Sequence, residues 1–287
     1  SLHDALPISH RSQNRSWSRA YKQNRTFSMR VWHYIKEYIK FYFTAKHHKG
    51  HGVHSPFVFS LIEDVLNEKH PYYAFKDIER VRKGLLSDHS TIYVNDYGTG
   101  ASRERQVSEI ARACLKSKKE AQMLFRFACL MQPKNILELG TSLGITTLYL
   151  SFARSSGNIY TIEGCPNIAK IAQTNFKNAK ATNIDSTVGN LDKKLPEILT
   201  KIDSLDMVFF DANHTKEATL NYFYQCLEKA NNNTVFIFDD IYWSEGMTEA
   251  WKEIYNNEKV TYSIDLFHLG MVFFNKEWIK SHFKVKF

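Results

Sequence analysis

Residues 135–150, NILELGTSLGITTLYL, constrain the fold more than any other part of the chain. A β-type run, Ile136-Leu137-Glu138-Leu139, ends on Gly140. Thr141-Ser142 then leads through Gly144 into an apolar-periodic helix. Glycine belongs where backbone must turn sharply and pass close to a ligand, because a Cβ would obstruct both. The helix start that follows offers unpaired N–H groups to a polar or anionic ligand. Glu163, 23 residues beyond Gly140, closes a second extended run, Asn158-Ile159-Tyr160-Thr161-Ile162. A carboxylate in that place can accept hydrogen bonds from both hydroxyls of a ribose. Loop and acid together predict a site for an adenosine-type cofactor.

Beyond Pro133 the pattern alternates between strand and helix. Strands are expected near 135–140, 158–163, 184–188, 205–211 and 233–239, with helices near 144–155, 166–180, 191–200, 215–231 and 246–255. Such alternation predicts a parallel sheet covered by helices on both faces. The ending differs: 260–266 and 268–274 are two β-rich runs joined by almost nothing, which predicts an antiparallel hairpin. The part before Pro133 reads as helices, apart from a short extended run and glycine-bearing loop over 91–102. An aromatic, basic segment at 29–43 precedes a Gly/His loop at 46–54. A second helix is expected from the Ser55-Pro56 cap to about Glu68, and others over 71–86, 103–116 and 118–131. The expected division is a disordered leader or sequencing artefact at 1–28, a helical annex or lid at 29–117, and a cofactor-binding domain at 118–287.

The net charge of +8 suggests nucleic acid until its distribution is considered. Arg11, Arg15, Arg19, Lys22 and Arg25 against Asp4 put +4 in the first 28 residues, which leaves +4 for everything after them. That leader is polar and aperiodic, and its opening SLHDALPI resembles a translated sequencing-adapter oligonucleotide, so Met29 is the expected start. There is no apolar run of membrane-spanning length. Cys114, Cys129, Cys165 and Cys226 form no CxxC pair, which suits a reduced, cytoplasmic compartment.

A second glycine loop, Asp96-Tyr97-Gly98-Thr99-Gly100, competes for the cofactor but lacks an acid-tipped strand about 20 residues later; it reads as a turn with a helix cap. For the first loop the context decides. ELGTSLG at 138–144, Glu163 and the terminal hairpin resemble the class I S-adenosylmethionine-dependent methyltransferases. The resemblance implies a Rossmann-like α/β three-layer sandwich. Its sheet would have seven strands, mostly parallel with an antiparallel last strand, in the order 3-2-1-4-5-7-6. It also implies that Glu138, Gly140, Ser142 and Gly144 face the methionine part of the cofactor, that Glu163 holds the ribose, and that Gly189-Asn190 approaches the adenine.

The fourth and fifth strands end in Asp211 and in Asp239-Asp240, and His214 lies three residues past Asp211. Three carboxylates at adjacent strand ends suit Mg²⁺ or another hard divalent cation. The pattern resembles the catechol and caffeoyl-coenzyme A O-methyltransferase group, which implies Asp211, Asp239 and Asp240 as metal ligands. Asp240 stands where that group has asparagine, and His214 is nearest to the position of its lysine base. The alternative is that Asp211 contacts cofactor or substrate while Asp239 or Asp240 caps the next helix. Imidazole is the side chain best suited to take a proton near neutral pH, so His214 is the candidate for proton abstraction, with Asp211 beside it; the alternative is a positioning histidine bonded to Asp239 or Asp240. Tyr242 and Trp243 could wall an acceptor or simply pack. His47, His48, His51 and His54 lack zinc-site spacing and read as a loop or lid.

These features predict S-adenosylmethionine-dependent O-methylation of a small-molecule hydroxyl, with a divalent metal as an open question. The helix at 29–43 is expected to pack on the catalytic domain or at a homodimer interface. The alternatives are an RNA nucleoside methyltransferase using the same site, a nicotinamide-dependent oxidoreductase, and a non-catalytic cofactor-binding protein.

Overall fold

A computed structural model describes residues 29–45, 54–95 and 102–287. The leader, most of the Gly/His loop (His47, His48 and His51 included) and the Asp96–Gly100 loop lie outside the described residues.

The central sheet forms because its strands are apolar on both sides. Along β3 (Asn135–Leu139), Leu137 and Leu139 face one core while Ile136 faces the other. In β6 (Leu205–Phe210), Val208 and Phe210 oppose Met207 and Phe209; in β7 (Ala230–Asp239), Phe236 and Phe238 oppose Val235 and Ile237. Period-two burial on both faces requires helices above and below, hence three layers. With β4 (Asn158–Glu163), β5 (Ile184–Val188), β8 (Tyr262–Asp265), β9 (Leu269–Phe273) and β10 (Ser281–Lys284), the order is β10-β8-β9-β7-β6-β3-β4-β5. The β8–β9 hairpin is antiparallel, and β9, paired with β7, runs against the remaining strands. The expected seven-strand order is therefore present. An eighth strand, β10, is added beside β8 and runs parallel to it.

One face is covered by α8 (Leu191–Leu199), α9 (Lys216–Leu227) and α10 (Glu245–Asn256). The other carries α5 (Lys118–Met131), α6 (Ile145–Ala153) and α7 (Pro166–Asn178), together with α2 (Pro56–Leu61), a π-helical turn at Ile62–Leu66, α3 (Tyr73–Leu86) and α4 (Val107–Cys114). Ser55 caps α2 through Val58 N–H, as its sequence suggests. The helix expected at 103–116 is shorter. Arg103–Gln106 is a strand, β2, paired antiparallel with β1 (Thr91–Val94), because RERQ has no apolar period to bury as a helix. The first helix, α1 (29–44), lays Tyr34, Tyr38 and Phe41 against Phe267 at the β8–β9 turn, with ring centroids 5.0, 5.0 and 5.4 Å away. Its opposite side leaves Trp32, Ile39 and Phe43 exposed. Among the described residues, no helix is long and apolar enough to cross a membrane.

Candidate functional site

The carboxyl ends of β3, β4, β6 and β7 meet at one edge of the sheet. Gly140 leaves β3 with φ +102°, and a Cβ there would collide with the carbonyl of Asp211. Asp211 N–H in turn donates to Leu139 O at 2.9 Å. The glycine loop is thus pressed against the end of β6, and only glycine fits the gap. Gly144 has φ +83° and caps α6 against Phe176, while Ser142 is also left-handed at φ +48°.

Glu138 is fully buried beneath this loop. One of its carboxylate oxygens accepts from Thr147 Oγ1 at 2.5 Å and from Thr161 Oγ1 at 2.7 Å; the other has no partner. Burial raises its pKa to about 7, against the opposing pull of the two threonine hydroxyls. Ser142 Oγ is likewise buried without a partner. Buried polar atoms left unpaired are uncommon and mark a place where a ligand group completes the bonding. These two lie where the amino-acid end of S-adenosylmethionine is expected, and their chemistry fits its ammonium and carboxylate. Glu163 ends β4, accepting from Ser142 N–H at 2.8 Å and Cys165 N–H at 2.9 Å; burial moves its carboxyl upward, against those bonds. It therefore ties the glycine loop to the adjacent strand end. Gly189, at φ +144°, follows β5, and Asn190 caps α8 through Asp192 N–H at 2.8 Å.

At the ends of β6 and β7, Asp211, His214 and Asp239 each offer a ligand atom within 4.8 Å of the others. A left-handed Asn213, φ +51°, folds the chain back so that His214 Nε2 lies 3.7 Å from Asp211 Oδ1. The imidazole therefore comes within ion-pair distance of Asp211, with the Asp239 carboxylate in the same three-residue group. Asp240, at φ +52°, begins the turn to α10, with its carbonyl accepting from Trp243 N–H, and stands outside the three-residue group. The two buried aspartates titrate as a pair. Burial, then the charge of Asp211, lifts Asp239 well above the carboxylate range, and burial lifts Asp211.

Sequence reasoning missed the cation in this site. Lys116 Nζ pairs with Asp239 Oδ2 and lies 3.8 Å from Asp211 Oδ1. Its side chain is only 13% exposed. Burial disfavours the ammonium, but the two carboxylates outweigh that and hold its pKa above the ordinary lysine value. Tyr242 is packed away, its hydroxyl 2.5 Å from Asp265 Oδ2 and its ring stacked on Phe267, whereas Trp243 is exposed. Beside His214 and Asp239 a cavity of about 10 Å³ is lined by Phe210, Tyr222, Phe238 and Met247, room for one water-sized group.

Residues 137–241 match the family described as "Methyltransferase domain". The chain is 31% identical over 128 residues to a catechol O-methyltransferase of Niastella koreensis, covering 44% of this chain and 57% of that protein. It is 30% identical over 122 residues to one of Mycobacterium tuberculosis, covering 40% and 54%. The chain thus spans a little over half the length of these curated relatives. A Bacillus cereus O-methyltransferase solved with S-adenosylhomocysteine superposes with a TM-score of 0.53 at 20% identity, over 76% of this chain and 97% of that one. Residues 137–241 are thus similar to a methyltransferase domain, and the chain shares the three-layer, mostly parallel α/β fold of that solved O-methyltransferase.

Proposed function

We propose that the chain is an S-adenosylmethionine-dependent O-methyltransferase acting on a small-molecule hydroxyl. The observation that carries this reading is the contact between the two halves of the site. The loop that would cradle the cofactor packs directly on Asp211, the residue that begins the acceptor-side cluster. A methyl donor held by the loop would lie next to a base and an acid pair.

When bound, S-adenosylmethionine supplies a methyl group on a positively charged sulfur. Glu138 receives the ammonium end, Ser142 and the loop N–H groups hold the carboxylate, Glu163 takes the ribose hydroxyls, and Gly189-Asn190 borders the adenine. The imidazole of His214 accepts the acceptor's hydroxyl proton as the C–O bond forms and the C–S bond breaks. Asp211, 3.7 Å away, stabilises the resulting imidazolium. Positioning the two reactants supplies most of the rate.

Titration calorimetry with S-adenosylmethionine tests the cofactor half. Saturable binding is expected, and Glu163→Ala should weaken it roughly 10–100-fold through loss of a charged hydrogen-bond acceptor. Absence of binding to the unmodified chain would overturn the assignment. For the acceptor half, release of S-adenosylhomocysteine over a panel of phenols and alcohols identifies a working hydroxyl. His214→Ala should then lower kcat by about 10²–10⁴ with cofactor affinity unchanged. An unchanged kcat would remove His214 from the chemistry.

A further inference from the structure

Asp211 and Asp239 face a cation that belongs to the chain itself. We propose that the Lys116 ammonium takes the place of a divalent metal at the acceptor end, so that this site works without one. The proposal rests on the methyltransferase reading above for its functional meaning, but its geometry stands on its own.

Lys116 Nζ contacts Asp239 Oδ2 and lies 3.8 Å from Asp211 Oδ1, the two carboxylates that group with His214. A hard cation bound to those two carboxylates would need its oxygen ligands at about 2.0–2.6 Å, which puts it in the space the ammonium fills. Ion and ammonium would then repel at close range in a poorly solvated pocket, where screening is weak.

The lysine is built into this position. Its carbonyl accepts from Arg82 Nη1 at 2.7 Å, and Arg82 is itself buried and paired with Glu79 at 2.9 Å. Glu79 also accepts from Tyr149 OH at 2.8 Å. On the other side Ser117 opens α5 with a capping box, Ser117 Oγ to Glu120 N–H and Glu120 Oε2 to Ser117 N–H, both 3.2 Å. With Leu115 N–H also donating to Ala111 O at 3.2 Å on the preceding side, the backbone is held around Lys116 and leaves the side chain little freedom to withdraw. The acceptor oxygen then meets a hydrogen-bonding ammonium, whose remaining N–H bonds are free of Asp239.

The test uses the full chain, with and without S-adenosylmethionine, titrated with Mn²⁺ while electron paramagnetic resonance follows the free ion. Calorimetry on the same samples reads cofactor binding separately, so failure of the cofactor assignment is visible as such. The unmodified chain is expected to show no saturable Mn²⁺ site below roughly 1 mM. Lys116→Gln and Lys116→Met should open one, tightening Mn²⁺ binding at least about tenfold. A micromolar Mn²⁺ site in the unmodified chain, lost in Asp239→Asn, would overturn the proposal without any lysine variant. Folded Lys116 variants that still bind no Mn²⁺ would also overturn it, since the ammonium would not be what fills the place of the ion.

Discussion

Glu138→Gln is expected to stabilise the cofactor-free protein above neutral pH and, in the same variant, to weaken S-adenosylmethionine binding. Glu138 is fully buried, and its carboxyl is raised from 4.5 to about 7. A carboxyl with a raised folded pKa contributes stability that is fully present below its unfolded value and is lost as pH rises through its folded value. Here that window runs from about 4.5 to about 7, and the difference is worth about 3 kcal/mol at pH 8. Glutamine does not titrate. Its amide oxygen can take the bonds from Thr147 and Thr161, while its NH₂ falls where the carboxylate has no partner. An unpaired buried NH₂ costs about 1–3 kcal/mol, so the net gain at pH 8 should be about 1–2 kcal/mol, fading to nothing or reversing below pH 5. Binding should move the other way. A carboxylate facing an ammonium is a charged hydrogen bond, and its loss should raise the Kd about 10–100-fold. Thermal melts at pH 5 and pH 8 plus calorimetry read both effects. A variant less stable than the parent at pH 8 would show that the buried carboxyl is not destabilising when charged, and one that binds the cofactor equally well would show that the unpaired oxygen has no role in ligand binding.

The strand bodies were legible because their burial is local: LELG, TIEG and VFFD each carry an apolar run tipped by an acid or a glycine, and each forms a strand ending at the site edge. The site's far side was not. Lys116 sits in the run Lys116-Ser117-Lys118-Lys119, which by composition is a solvated charge cluster, and its partner Asp239 is 123 residues away in sequence. Nothing periodic distinguishes a lysine that turns inward from its neighbours that turn outward. The orientation of His214 was hidden for a different reason. A left-handed Asn213 turns the imidazole toward Asp211, and a non-glycine residue in that conformation leaves only a weak mark in sequence. Asp239 and Asp240 are equal as letters, yet β7 ends between them, so one carboxylate enters the site and the other leads into the turn. The extended run from Thr91 was legible and forms β1, but β2 and β10 are four residues each, too short for alternation to separate from coil.

Lys116→Met should produce the largest loss of stability, because two buried carboxylates would be left without their cation. Asp239 is 2% exposed at its side chain and Asp211 17%. Breaking a buried ion pair from one side costs about 3–5 kcal/mol, here a fall in Tm of roughly 6–10 °C. The loss should depend on pH in a definite direction. Burial already raises both carboxyls, and Lys116 is what opposes that rise. Without it they rise further, and groups with raised folded pKa values contribute stability only while protonated. The gap from the parent should therefore be small near pH 4 and widen as pH rises through neutrality. Adding Asp211→Asn to Lys116→Met should recover much of the loss, because the Asp211 charge is gone and the remaining Asp239 can stay protonated. Melts of the single and double variants across that range are decisive. A loss independent of pH, or a double variant no more stable than Lys116→Met, would mean that the lysine stem supplies packing and not charge.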